Sequence, residues 1–156
     1  MIHVLFVCLG NICRSPMAEA VFRDLIEEEG LAHKIAVDSA GTGGWHQGQP
    51  PHKGTLEILQ RYHISSEKLV ARQVKTADLT DFQYIIGMDD HNMKDLLTFG
   101  TAHPNTHVGK LCDFIENPPV ENVPDPYYTG DFDETYELVR AGCSGLLNLM
   151  KEKEDW

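Results

Sequence analysis

The sequence predicts an α/β fold built on a parallel sheet, and three observations carry that expectation. Short apolar runs with β-branched members alternate with helix-period segments along the chain. The first apolar run leads through an eight-residue loop, Cys8 to Ser15, into a helix start marked by Pro16. The length, 156 residues, suits one domain spanning residues 1–156, with a core that closes without disulfides or metal.

Each element has its own signal. His3 to Val7 reads as a strand. Ala18, Val21, Phe22, Leu25 and Ile26 then recur at helical spacing, and Gly30 can end that helix. Ile35-Ala36-Val37 reads as a second strand. The Gly- and Pro-rich stretch from Ser39 to Pro51 reads as a long surface loop. Thr55 to Tyr62 has a helical pattern with Leu56 and Leu59 inward. Gln83 to Met88 is a strong strand, and Asp89 or Asp90 can cap the next helix, which carries Met93, Leu96 and Leu97. His107 to Lys110 is a weaker strand, and Asn117 to Gly130, with four prolines, reads as loop. Asp131 followed by Glu134 is a capping signal for a last helix running to about Lys153, with Leu138, Cys143, Leu146 and Met150 on one face.

Composition narrows the function. Thirteen Lys+Arg against 24 Asp+Glu give a formal charge of −11. So acidic a chain is a poor partner for nucleic acid or an anionic membrane face. An anionic substrate would have to be held by local means. Met1 to Val7 lacks the basic start and long apolar stretch of a signal peptide, and no run reaches the length of a membrane helix. The expected compartment is therefore cytoplasmic and reducing, with Cys8, Cys13, Cys112 and Cys143 as free thiols. The eight histidines suggest no metal site: His103 and His107 are four apart, but Pro104 lies between them. Gly41-Thr42-Gly43-Gly44 is followed by no helix start, so it is no dinucleotide fingerprint, and no cofactor is expected.

The first loop, Cys8-Leu9-Gly10-Asn11-Ile12-Cys13-Arg14-Ser15, carries the chemistry. A loop folded back at a helix N-terminus turns several backbone N–H groups into one concavity, which suits a tetrahedral oxyanion. Gly10 and Asn11 are best able to take left-handed backbone there. Arg14 can grip two phosphate oxygens through its planar fork. Cys8 sits at the base of that cradle, where the positive surroundings favour its thiolate and Ser15 can donate a hydrogen bond to it. The expected result is a nucleophile beneath a bound phosphate.

Val7-Cys8-Leu9-Gly10-Asn11-Ile12-Cys13-Arg14-Ser15-Pro16-Met17-Ala18-Glu19-Ala20 resembles the signature of the low-molecular-weight protein tyrosine phosphatases. The resemblance extends to Ser39-Ala40-Gly41-Thr42-Gly43, Trp45, Ala71-Arg72-Gln73, Met88-Asp89 and Asp125-Pro126-Tyr127-Tyr128. It implies a flavodoxin-like, three-layer fold with a four-stranded parallel sheet, and metal-independent two-step chemistry. By that resemblance Cys8 attacks phosphorus, Arg14 and the loop amides bind phosphate, and Asp125 serves as general acid and then general base. Leu9, Ile12, Trp45, Tyr127 and Tyr128 would wall an aryl phosphate, although loop aromatics are equally able to anchor their own loop. Asn11 and Ser39 match residues that hold the loop in shape. Cys13 is either an inert small residue or a partner for a reversible disulfide with Cys8. Where some members carry a histidine before Val-Ala-Arg-Gln, this chain has Leu69. The expected substrates are phosphotyrosine proteins or small aryl phosphates, the product inorganic phosphate, and the oligomeric state monomer.

Three other functions compete. Arsenate reduction on this scaffold needs two further cysteines close together, and Cys112 and Cys143 are thirty-one residues apart. Relatives specialised for phosphoarginine resemble this chain but carry threonine where it has Ile12. A phosphopeptide-binding module without catalysis should have lost Cys8 or Asp125, and both are present.

Overall fold

The structure is a computed structural model that describes residues 1–156. Four parallel strands form one sheet: β1 Ile2–Cys8, β2 Ile35–Gly41, β3 Tyr84–Gly87 and β4 His107–Lys110, in the order β2-β1-β3-β4. The helices are α1 Arg14–Glu28, α2 Lys53–Arg61, α3 Asp78–Asp81, α4 Asp90–Leu96, α5 Pro126–Thr129 and α6 Phe132–Glu154. The fold is the three-layer, flavodoxin-like α/β arrangement that the sequence predicts.

The alternation of β1 explains the layering. Val4, Phe6 and Cys8 point into the larger core, with α1, α2 and α6, where Phe6 meets Phe22 edge-on at 5.5 Å. Leu5 and Val7 point the other way, into a smaller core with Leu79 of α3 and Leu96 of α4. Because β1 is central, buried on both faces, it reads as a continuous apolar run. The strand order reverses direction at β1 and β3, so their carboxyl ends flank the crevice where such sheets place a ligand. Cys8 is the last residue of β1.

Several elements depart from the sequence reading. β2 continues through Ser39, Ala40 and Gly41, which read as loop by composition; pairing with Phe6, Val7 and Cys8 of β1 extends it. The segment behind Ala71 adds a further parallel bridge, Gly41 with Gln73. α2 begins two residues before Thr55 because His52 caps it, accepting from Gly54 N–H at 3.0 Å. Its buried face is Thr55, Ile58 and Leu59, with Leu56 only half-buried. Leu97 lies just past α4 and is exposed, leaving Leu96 as the inward residue. The stretch from Asn117 to Gly130 contains the one-turn α5, started by Asp125 and Pro126 and closed by left-handed Gly130. Asp89 is the cap of α4, in a reciprocal box with Asn92, and Asp131 caps α6 by accepting from Glu134 N–H at 2.9 Å. No helix is long and apolar enough to cross a membrane.

Candidate active site

The loop between β1 and α1 holds its carbonyls outward. Cys8 and Leu9 carbonyls accept from Thr42 and Gly43 N–H, both at 2.9 Å. The Ile12 carbonyl accepts from His52 N–H at 2.7 Å, and the Cys13 carbonyl from Thr55 Oγ1 at 3.0 Å. None of the amides from Leu9 to Cys13 donates to an acceptor in the chain. With carbonyls tied back on one side, the loop keeps its N–H groups for an anion at the N-terminus of α1.

Asn11 fixes this shape. It alone in the loop has left-handed backbone, with φ of 56°. Gly10, expected to share that conformation, does not; its lack of a side chain instead admits His46, whose Cδ2 would lie 3.1 Å from an added Cβ. Asn11 Oδ1 accepts from Arg72 N–H at 3.0 Å, which turns its amide nitrogen toward Ser15 Oγ at 2.8 Å and Ser39 Oγ at 2.9 Å. Both hydroxyls accept from Asn11, so their own hydrogens are free for other partners. Ser39 donates to Glu19 at 2.6 Å, and Arg23 holds the other Glu19 oxygen at 2.5 Å. Ser15 has Cys8 Sγ at 3.0 Å, where its hydrogen can point. No histidine takes part; Leu69 is a buried core residue, and the Arg72 backbone supplies the support to Asn11.

Arg14 is 2% exposed. Its Nη1 donates to Asp89 at 2.6 Å and to the Val123 carbonyl at 2.9 Å. Nη2 reaches Asp125 at 3.4 Å, and Nε is buried with no partner. Nη1 is thus anchored, Nη2 is shared with Asp125, and Nε remains for a ligand. Burial opposes the charge on Arg14, but Cys8 and the two aspartates outweigh it and hold its pKa above the usual arginine value. Cys13 differs: burial, then Cys8 and Asp125, push it up to about 12.

Asp125 comes from the opposite side. Val123 N–H bonds the Met88 carbonyl at 2.9 Å, tying this late loop to the end of β3. Lys110 clamps the same loop through Asn122 at 3.1 Å and Asp90 at 2.9 Å. Asp125 Oδ1 accepts from Tyr127 N–H at 3.1 Å. The result is a cleft of about 330 Å³ lined by Cys8, Leu9, Gly10, Ile12, Cys13, Trp45, His46, Asp125, Tyr127 and Tyr128. Trp45, Tyr127 and Tyr128 are 70, 56 and 76% exposed, so they stand as walls rather than buried anchors. No three His, Cys, Asp or Glu side chains group as metal ligands.

A sequence profile of the low molecular weight phosphotyrosine protein phosphatases matches residues 3–155. The chain belongs to this family. It is 54% identical over 155 residues, 99% of each chain, to the low molecular weight protein-tyrosine-phosphatase YfkJ of Bacillus subtilis. The crystal structure of YfkJ superposes with a TM-score of 0.94 and 53% identity, over 100% of this chain and 98% of that one. PtpA of Staphylococcus epidermidis, another low molecular weight protein-tyrosine-phosphatase, is 46% identical over 150 residues, 95% of this chain and 93% of its own. The Drosophila arginine phosphatase DARP has the same fold at 31% identity, with a TM-score of 0.88 over 97% of this chain and 98% of that one. The protein is accordingly a cysteine-based low-molecular-weight protein-tyrosine-phosphatase.

Of the residues that the sequence singled out, Cys8, Leu9, Gly10, Ile12, Cys13, Trp45, Asp125, Tyr127 and Tyr128 line one cleft, while Arg14 bonds Asp125 and Ser15 links Cys8 to Asn11. Sequence reasoning missed His46, Glu19, Arg23 and the part played by Asp89. Asp89 was visible as a helix cap and within the resemblance at Met88-Asp89, with no site role assigned, yet its place at the carboxyl end of a buried strand is where such a sheet presents site residues.

Proposed function

We propose that the protein hydrolyses phosphotyrosine, in proteins or in small aryl phosphates, through a phosphocysteine intermediate on Cys8. The single observation that carries this reading is the loop itself. Five amides with no acceptor in the chain and the partnerless Nε of Arg14 belong to one loop, with a cysteine whose neighbour is a hydroxyl. In the first step Cys8 Sγ attacks phosphorus, the S–P bond forms and the P–O bond to the aryl group breaks. The amides and Arg14 stabilise the equatorial oxygens as charge shifts toward them. Asp125, protonated, gives its proton to the departing phenolate. In the second step Asp125 takes a proton from water, the water oxygen attacks phosphorus, and the S–P bond breaks to release inorganic phosphate and the Cys8 thiolate. Leu9, Ile12, Trp45, Tyr127 and Tyr128 favour a flat aromatic group, and this supports phosphotyrosine over phosphoarginine.

Residues 1–156 act in this reading as one catalytic domain and as a monomer, since every group in the mechanism comes from one chain. Its four unpaired thiols suit a reducing, cytoplasmic setting. The test is phosphate release from a phosphotyrosine peptide and a phosphoarginine peptide, with chelator and reductant present. Chelator-resistant release from phosphotyrosine, abolished in Cys8→Ser and slowed at least about 100-fold in Asp125→Asn, is the expected result. Release mainly from phosphoarginine would overturn the substrate assignment.

A further inference from the structure

Beyond Trp45 lies a second cleft of about 350 Å³. It shares Leu9 and Trp45 with the catalytic cleft, so the indole is the partition between them. Trp45 is held there by Gly43, against which its ring packs where no Cβ would fit. Phe99, Thr42, Gln73 and Asp95 also line it.

Three polar groups of this second cleft lack partners. The half-buried Asp95 carboxylate makes no ion pair and no hydrogen bond, although its backbone carbonyl accepts from Thr98 Oγ1 at 2.6 Å. Gln73 Nε2 donates to the Thr42 carbonyl at 3.0 Å. Since that partner is a carbonyl, the amide nitrogen must face it, and Oε1, which lies beside Gly44, has no donor in the chain. Thr42 Oγ1 is one of only two buried side-chain N or O atoms in the molecule without a partner. The other is Arg14 Nε, in the phosphate cradle. No Lys or Arg lines the second cleft. Two aromatic residues, a carboxylate and a spare amide oxygen together fit a planar cation with several N–H donors.

We propose that this cleft is a specificity subsite for an arginine of the substrate peptide, one or two residues from the phosphotyrosine, with Asp95 as its counter-charge. The proposal rests on the catalytic reading above, since the phosphotyrosine ring sets the register. An extended peptide advances about 3.3–3.6 Å per residue, so a chain leaving the catalytic cleft over Trp45 brings a neighbouring side chain into the second one within one or two positions. Arginine is favoured over lysine because its flat guanidinium can lie against Trp45 or Phe99 while donating to Asp95 and Gln73.

The test is a set of phosphotyrosine peptides with Arg, Lys, Ala or Glu placed singly at the two positions on either side. Turnover is measured on the unaltered chain and on Asp95→Asn, and Kd on Cys8→Ser with and without Asp95→Asn. The Asp95 carboxylate has no partner in the fold, so its amide leaves the structure intact. Arginine at one position should raise kcat/KM by about tenfold over Ala, with Lys intermediate and Glu below Ala. In Asp95→Asn that advantage should shrink to within about twofold, while turnover of p-nitrophenyl phosphate, which has no flanking residues, stays unchanged. No arginine advantage at any position would overturn the subsite. So would an advantage that survives Asp95→Asn, because it would then come from the diffuse field of the acidic chain. Failure to turn over p-nitrophenyl phosphate would overturn the catalytic reading instead, and the Kd series would still decide the cleft.

Discussion

Glu19 is a glutamate held 4% exposed under the catalytic loop, and burial raises its pKa above the usual range despite the bonds from Ser39 and Arg23. A raised folded pKa means that the native state binds this proton more tightly than the unfolded chain. The contribution to stability is therefore full below the ordinary glutamate value and is lost as pH climbs through the raised one. Glu19→Gln removes that dependence, so its Tm relative to the unaltered protein should rise from about pH 4 to about pH 7; a constant or falling difference would refute the assignment. Cys13 makes the complementary case. Pushed up to about 12, it stays a thiol through the working range. The pH profile of kcat/KM in Cys13→Ser should therefore keep the shape of the native one between about pH 5 and about pH 9. Among single residues, Cys8, Asn11, Arg14 and Ser15 were legible because their chemistry lies in one contiguous stretch. Glu19 and Arg23 were not, because in sequence they are charges on a helix, and only folding places them behind Ser39. His46 was hidden behind the more conspicuous Trp45 beside it.

At the scale of elements, the catalytic loop is shaped by β2 as much as by β1. A Cβ on Gly41 would lie 2.8 Å from the Leu9 carbonyl oxygen and 3.1 Å from the Asn11 nitrogen. Gly41→Ala should therefore displace the amides and lower kcat/KM by about 100-fold, with a much smaller change in Tm; native turnover would mean the loop does not lean on β2. A close approach outside the catalytic cleft offers a control. In α6, Gly145 faces the Phe114 carbonyl so closely that an added Cβ would overlap it. Gly145→Ala should cost about 1–3 kcal/mol in urea unfolding, although alanine is the better helix former, and leave KM unchanged. The same close approaches show why some elements could be read and others could not. α1 and α6 announce themselves by periodicity and caps. The last three residues of β2 are strand only because β1 lies beside them. α3 and α5 are single turns, too short to show a period.

The molecule as a whole carries −11 around a site built for a dianion. The net field opposes approach of a small aryl phosphate, and salt weakens that field: the screening length falls from about 30 Å at 0.01 M to about 10 Å at 0.1 M. Over that range kcat/KM for p-nitrophenyl phosphate should rise about twofold in a salt that does not compete for the cradle; a fall would show that the local positive field reaches beyond the cleft. The overall architecture was readable from the alternation of strand and helix, whereas the way charge is partitioned between surface and site was not, because it depends on which carboxylates face Arg14. Cysteine is partitioned as well. Burial holds Cys13, Cys112 and Cys143 in the thiol form, and Cys143 is wholly enclosed by α6 and its neighbours. A thiol-alkylating reagent at neutral pH should therefore find one taker per chain, Cys8, and inorganic phosphate should shield it. The mass increment of a labelled sample would then be a census of competent molecules, so that a preparation could be standardised by active sites rather than by weight.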